Sequence, residues 1–217
     1  MTACAPLAGM PGRDCPLCPR LAAFREENRA RHPDWHNAPV SSFGPIGARL
    51  LIVGLGPGLR GANATGRPFT GDWAGDLLYG TLLAKGCARG QYDERPDDGL
   101  ELIDCRITNA VRCVPPANRP TGAEGAACRP FLTAEIAAMT GLRTIIAIGG
   151  FAHDAILAAL GLRRTSAAFG HGAIHRLAGG RTLVDSYHCS RLNTNTGRLT
   201  EAMFHEMFDK ALATLGE

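Results

Sequence analysis

The chain has 217 residues, a formal net charge of +3 and 45% hydrophobic residues. This length suffices for one α/β domain with a full apolar core, so we expect a single domain over residues 1–217. The mild positive charge does not identify a nucleic-acid binder by itself, and the lack of any apolar run of about 18 residues excludes a membrane-spanning helix.

The first residues contain proline, glycine and acidic residues where a signal peptide needs an unbroken apolar stretch. We therefore expect a cytoplasmic protein, with a disordered tail over about residues 1–12. Eight cysteines in a reducing compartment favour metal binding over a disulfide framework.

Buried strands are predicted from four short apolar runs, at residues 50–53, 103–107, 144–148 and 182–186. Helical patterns cover about residues 20–31, 74–85, 128–140, 151–160 and 200–215. Strands that alternate with helices indicate an α/β fold with a central parallel sheet flanked by helices in three layers. Ligands bind such sheets at the carboxyl ends of the strands.

Four cysteines form one candidate metal site. Cys15 and Cys18 make a C-x2-C pair, and Cys113 and Cys128 bracket the stretch CVPPANRPTGAEGAAC. A close pair and a distant pair suggest one site held from two places in the fold. Thiolates at this spacing bind zinc or an iron–sulfur cluster, and the spacing does not distinguish the two.

The loop after the first predicted strand, residues 54–72, is rich in glycine. It matches neither the dinucleotide-binding G-x-G-x-x-G pattern nor a Walker A loop, which requires Gly-Lys-Ser/Thr. Glycines such as Gly56 allow backbone amides to approach a ligand closely. Phe69 is either a core residue or a platform for an aromatic ligand. Asp72 either caps the helix that begins near residue 74, which we favour, or orients a water molecule.

Two further loops carry polar residues at strand ends. Asn109 offers a donor and an acceptor together, which suits the edge of a base, although an Asn in turn hydrogen bonds is equally common. His188 begins a hydroxyl- and amide-rich loop that suits phosphate contacts or, alternatively, caps the last helix from Thr200. Its polar members are Ser190, Arg191, Asn193 and Asn195. Arginines recur in these loops, at Arg60, Arg67, Arg112, Arg119, Arg129, Arg191 and Arg198.

Three long motifs occur in a fixed order along the chain. GLGPGLRGANATGRPFTGD resembles the first motif of a known family, TNAVRCVPPANRPT with CRPFL resembles its central segment, and HCSRLNTNTGRLT resembles its H-P-S-x-x-N-x-x-T-G motif. From CPLC to the last helix, the chain is similar to uracil-DNA glycosylases of the iron–sulfur type, and it resembles family 5, the B type, most closely.

The resemblance implies a flavodoxin-like fold and a structural [4Fe–4S] cluster on Cys15, Cys18, Cys113 and Cys128. It also implies a monofunctional enzyme of base excision repair. This enzyme would flip uracil out of double-stranded DNA and hydrolyse its N-glycosidic bond, with hypoxanthine and other damaged bases as further substrates. We expect a monomer that does not bind membranes.

The resemblance also assigns roles to the loop residues. Phe69 would stack on the flipped base, Asn109 would read its polar edge, and His188 would donate to the uracil O2. Gly56 would line the base pocket. Asp72 would position water or stabilise positive charge on the sugar. DNA contacts would come from Ser190, Arg191, Asn193 and Asn195, and Arg191 with Leu192 would fill the space left in the duplex.

Two residues depart from related patterns. Leu55 stands where family 4 enzymes carry an acidic residue, and Cys189 replaces the proline of H-P-S. These departures leave open a non-catalytic protein that binds damaged DNA on the same fold. A nucleotide-binding or metal-dependent enzyme on this fold is a further alternative, and it would bind a free nucleotide rather than DNA.

Overall fold

The computed structural model describes residues 10–216. Most of the predicted N-terminal tail, with Cys4, lies outside the described residues. The strands are β1 Leu50–Gly54, β2 Ala88–Arg89, β3 Glu101–Leu102, β4 Cys105–Asn109, β5 Thr144–Ile148, β6 Ile174–Arg176 and β7 Thr182–Ser186. The helices are α1 Pro19–Arg31, α2 Ala62–Thr65, α3 Trp73–Ala84, α4 Gly122–Ala138, α5 Gly150–Ala159, α6 Arg191–Asn195 and α7 Glu201–Ala213.

The central sheet has the order β4-β1-β5-β7-β6, and β2 pairs with β3 in a separate small ribbon. The strands β4, β1, β5 and β7 are parallel, whereas the edge strand β6 is antiparallel to β7. The predicted α/β class and its parallel core are confirmed. Strand β6 was not predicted, and two of its three residues are exposed.

Each face of the sheet supports one apolar core, because side chains alternate between faces along a strand. Leu50 and Ile52 pack with α3 and α7 on one face. Leu51 and Val53 pack with α4 and α5 on the other. This accounts for the continuous apolar runs of the parallel strands, which are buried on both sides.

Polar caps set where the helices begin. Asp72 caps α3 and Thr200 caps α7, as predicted. Helix α4 begins at Gly122 rather than at residue 128, because Thr121 and Glu124 form a capping box before it. Within residues 10–216, no helix combines the length and apolar character needed to cross a bilayer.

Candidate active site and cysteine centre

The loops after β1, β4 and β7 meet at the carboxyl edge of the sheet. Gly54 is aligned with Asn109 in the β1–β4 register, so the ends of these two strands lie side by side. The loops enclose a cavity of about 600 Å³. Seven of the predicted site residues line it: Gly56, Phe69, Asp72, Asn109, His188, Ser190 and Arg191. Asn193 and Asn195 do not line this cavity.

Asp72 uses its two carboxylate oxygens differently. Oδ1 accepts a hydrogen bond from the Gly75 backbone N–H at 3.2 Å, which caps α3. Oδ2 faces Gly58 and Gly61, where an added Cβ would lie only 2.6 Å and 2.5 Å from that oxygen. Glycine at both positions therefore leaves space for the carboxylate. Burial raises the pKa of Asp72, and the backbone N–H groups of Gly75 and Ala74 act in the opposite direction.

Phe69 and Asn109 are fixed against the end of β1. Both side chains are buried, and Phe69 has a positive φ of 53°, which is uncommon for a bulky residue. A Cβ on Gly54 would lie 2.5 Å from Phe69 Cζ and would also overlap Asn109 Oδ1. Gly54 is therefore a positioning residue for both side chains. The sequence analysis assigned Gly54 to the glycine-rich loop and did not predict this positioning role.

His188 is held from its backbone and from the neighbouring strand end. Its carbonyl accepts a hydrogen bond from Asn193 Nδ2 at 2.8 Å, and its Cβ packs beside Gly149. The rings of His188 and Phe69 are inclined by 29° to each other, with centroids 6.5 Å apart. Burial lowers the pKa of His188 to about 4, so the imidazole is neutral at neutral pH.

Two buried polar atoms at the cavity lack hydrogen-bond partners among the described residues: Asn109 Oδ1 and His188 Nδ1. Such atoms are uncommon in folded proteins, because an unsatisfied buried polar group costs about 1–3 kcal/mol. Both belong to residues that line the same cavity. The arrangement favours a ligand with polar edges at this position.

Trp73 was missed by the sequence analysis, although it follows Asp72 directly. It lines the cavity and is 47% exposed. Its Nε1 donates to Thr194 Oγ1 at 2.9 Å, and the Arg191 guanidinium lies 5.2 Å above its ring. Trp73 thus links the start of α3 to α6, where Leu192 is 72% exposed.

Cys189 is fully buried beneath the start of α3. Its thiol donates to the Ala74 carbonyl, with Sγ 3.5 Å from the oxygen. Burial raises the pKa of this thiol well above its ordinary value. The residue that replaces the motif proline is therefore a neutral, packed side chain.

The four predicted metal ligands, Cys15, Cys18, Cys113 and Cys128, line one small cavity. None of them forms a disulfide. Burial and, to a smaller extent, the neighbouring thiols raise the pKa of Cys18 and of Cys113 to about 11, although Arg25 acts in the opposite direction on Cys113. The Arg112 backbone N–H donates to Cys128 Sγ at 3.3 Å. Four sulfur donors around one cavity, with an N–H group directed at sulfur, fit a tetrathiolate centre of zinc or iron–sulfur type.

The two cysteine segments are also joined directly. Arg20 donates from Nε and Nη2 to the two carboxylate oxygens of Glu124, each at 2.7 Å. Arg20 Nη2 also donates to the Arg119 carbonyl at 3.1 Å. From the bracketed segment, Pro115 and Asn118 line the active-site cavity, a contribution that the sequence did not reveal. The cysteine centre and the cavity therefore share one segment of chain.

Comparison with known proteins gives a consistent family. A model of the Uracil DNA glycosylase superfamily matches residues 41–215. A type-5 uracil-DNA glycosylase of Thermus thermophilus is 45% identical over 208 residues, covering 93% of this chain and 94% of the relative. A type-5 enzyme of Pyrobaculum aerophilum is 40% identical over 94% of this chain and 90% of its own. A type-4 enzyme of Thermotoga maritima is 32% identical over 79% of this chain and 80% of its own.

Proposed function

The chain belongs to the uracil-DNA glycosylase superfamily, as a type-5 member, and from this premise we propose that it excises uracil from DNA in repair. The reaction is hydrolysis of the N-glycosidic bond, which leaves an abasic site. The observation that carries the proposal is the pair of unpartnered buried atoms, Asn109 Oδ1 and His188 Nδ1, on residues that line one cavity. The polar edge of an extruded base could supply the hydrogen-bond partners that these two atoms lack.

In this proposal, Phe69 stacks on the flipped base and Asn109 reads its edge. Gly56 forms part of the wall, and an added Cβ there would meet its nearest neighbour, the Val111 carbonyl oxygen, at 3.4 Å. The cavity volume of about 600 Å³ supports a base range that extends to hypoxanthine. The test is excision from a duplex with hypoxanthine opposite thymine, in which an uncleaved strand would restrict the range to uracil.

His188 acts as a neutral hydrogen-bond donor to the leaving base. As the bond between C1′ and N1 breaks, its electron pair moves onto the uracil ring and negative charge grows on O2. A preorganised N–H at that oxygen stabilises the transition state. Because burial lowers the pKa of His188 to about 4, the ring donates from one nitrogen and carries a lone pair on the other.

Asp72 positions the attacking water. Oδ1 is held by the helix cap, so Oδ2 is the oxygen that receives a hydrogen bond from water as the water oxygen bonds to C1′. The water proton passes to this carboxylate. In this proposal, Asp72 takes the role of the acidic residue that family 4 enzymes carry at the position of Leu55.

DNA contacts are proposed at the loop that begins with His188. Ser190 and Arg191 line the cavity, and Arg191 and Asn195 are exposed on α6. Asn193 holds the His188 carbonyl and so fixes the loop that would face the phosphates. We propose a monomer that acts on double-stranded DNA, with Arg191 and Leu192 entering the space of the flipped nucleotide. Binding by phosphate contacts predicts a Kd that rises steeply with salt.

We propose that Cys15, Cys18, Cys113 and Cys128 hold a [4Fe–4S] cluster. When bound, the cluster supplies a fixed cross-link between the two cysteine segments rather than chemistry at the base. The test is the iron and sulfide content of brown, anaerobically purified protein. A colourless protein with one zinc on the cysteines would overturn the cluster and leave the glycosylase proposal intact.

The decisive test of function is alkaline strand scission after incubation with a labelled duplex that carries one uracil opposite guanine. A uracil-free duplex is the substrate control, and His205→Ala, on α7 outside the cavity, is the matched control for His188→Ala. Cleavage only at uracil, retained in His205→Ala and lost in His188→Ala, supports the proposal. Cluster-loaded protein that binds the duplex without cleaving it would favour the damage-binding alternative.

A further inference from the structure

Three side chains outside the active site converge on one buried point. His153 comes from α5, His175 from β6 and Asp185 from β7, and their potential ligand atoms all lie within 4.8 Å of one another. The fold places them together for a simple reason. His175 is paired with Leu183 in the β6–β7 register, and Asp185 lies two residues beyond Leu183, so the three share the face on which α5 packs.

The hydrogen bonds fix which atoms face this point. His153 Nε2 lies 3.1 Å from the Ala167 carbonyl oxygen. A carbonyl only accepts, so Nε2 carries the hydrogen and the lone pair of the neutral ring is on Nδ1. That Nδ1 lies 2.7 Å from Asp185 Oδ1, and His175 Nε2 lies 3.0 Å from Asp185 Oδ2.

This pattern is the one that metal-binding histidines adopt. Such residues usually donate their second ring N–H to a carbonyl or carboxylate, which fixes the tautomer and turns the other nitrogen toward the ion. Asp185 has a comparable support, because its Oδ2 accepts the Gly170 backbone N–H at 3.3 Å. Two imidazoles and one carboxylate form a donor set that suits zinc.

Burial also favours an ion here. When Nε2 of His153 carries the ring hydrogen, Nδ1 of His153 and Oδ1 of Asp185 are both electron-pair donors, and they face each other at 2.7 Å. The side chains of His153 and Asp185 are 1% and 0% exposed, so both donors are held away from water. A divalent cation at this point would accept an electron pair from each of them and from His175 Nε2.

We propose that His153, His175 and Asp185 bind one zinc ion, with water as the fourth ligand. The present separations are hydrogen-bond distances, so the side chains open by a few tenths of an ångström to place the ion about 2.0–2.2 Å from each donor. The His175 side chain is 18% exposed and provides the route of entry. The site ties α5 to both strands of the antiparallel edge, and Asp185 lies three residues before His188 in the chain.

The experiment uses the cluster-loaded protein and compares wild type with His175→Gln. His205→Gln is the matched control, because it removes a partly exposed histidine that is no ligand. Metal analysis after dialysis against zinc should give one zinc per chain in wild type and in His205→Gln, and none in His175→Gln. Iron content should be equal in all three. Zinc at 100 times its Kd should shift the unfolding equilibrium constant by about 100-fold, except in His175→Gln.

Cobalt substitution tests the wild-type protein independently of any variant. Co²⁺ bound by nitrogen and oxygen shows visible d–d bands without the strong near-ultraviolet charge-transfer bands of a cobalt thiolate. Visible bands alone support the proposal. Thiolate bands, equal zinc content in His175→Gln, or no zinc in wild type would overturn it and return the three residues to a hydrogen-bonded network.

Discussion

Substitution of Asp72 by asparagine and by alanine separates its two structural contacts. Asparagine keeps a side-chain oxygen for the N-cap and is as favourable there as aspartate, whereas alanine removes the cap. The catalytic proposal assigns water positioning to the charged Oδ2, which both variants lose. Helix capping and catalysis should therefore respond differently to the two changes.

The magnitudes follow from the geometry. Loss of the hydrogen bond from the Gly75 N–H should make Asp72→Ala less stable by about 1 kcal/mol, or roughly 2–4 °C in Tm for a chain of this size. Asp72→Asn should be at least as stable as wild type at neutral pH. The reason is that burial raises the folded-state pKa of Asp72, so the ionised carboxylate disfavours folding above that pKa, and asparagine carries no charge. Excision should fall about 10²–10⁴-fold in both variants, which is the usual effect of losing a general base.

The assay is single-turnover excision from a duplex with one uracil, measured beside thermal unfolding. Thr200→Ala is the control, because Thr200 caps α7 through the Met203 N–H in the same way but does not line the cavity. It should lose a similar amount of stability and keep the wild-type rate. An Asp72→Asn variant with the wild-type excision rate would refute the catalytic role and leave Asp72 as a helix cap.

Three further expectations concern the cavity. Gly54→Ala should fold by circular dichroism but excise uracil about 100-fold more slowly, because the new Cβ displaces Asn109; an unchanged rate would contradict the positioning role. The pKa of His188 is lowered to about 4 in the folded chain, so the unfolded chain binds this proton at a higher pH. The free energy of unfolding should therefore fall as the pH drops from about 6.5 to about 4. In urea titrations, His188→Gln should lack this part of the pH dependence. Trp73→Ala should raise the Kd for a uracil duplex about two- to fivefold by removing the ring beneath Arg191, and Trp73→Phe should recover part of that loss in a fluorescence anisotropy titration.

The parallel core was predictable because its strands are buried on both faces. Strands β5 and β7 have the predicted bounds, and every residue of each strand is buried. Strand β6 was not predictable, because only Ile174 among its three residues is apolar and its pairing with β7 is a tertiary contact. Helix α6 lies inside a motif whose polar residues give no helical period.

Two arginines in the motif loops have different surroundings that their sequence positions do not reveal. Arg67 and Arg191 both occur in motif loops, yet Arg67 is buried and makes two hydrogen bonds of 2.7 Å to Asp98. This contact joins residues that are 31 positions apart, so no local sequence pattern predicts it. Arg191 is exposed above Trp73, where we propose that it contacts DNA. Residue type alone does not distinguish the two arginines, whereas burial does.

The cysteine centre and the proposed base pocket share a segment of backbone. The segment between Cys113 and Cys128 supplies Pro115 and Asn118 to the cavity, while Gly56 of the first loop packs near Pro115. A metal bound by the four cysteines would fix both ends of this segment and so limit how far that wall can move. The ion pair of Arg20 with Glu124 makes a second, metal-independent link to the same segment, but much of Arg20 is exposed and such pairs contribute little. The proposed metal would therefore be the stronger of the two constraints on the shape of the cavity, and we assign it no step of the reaction.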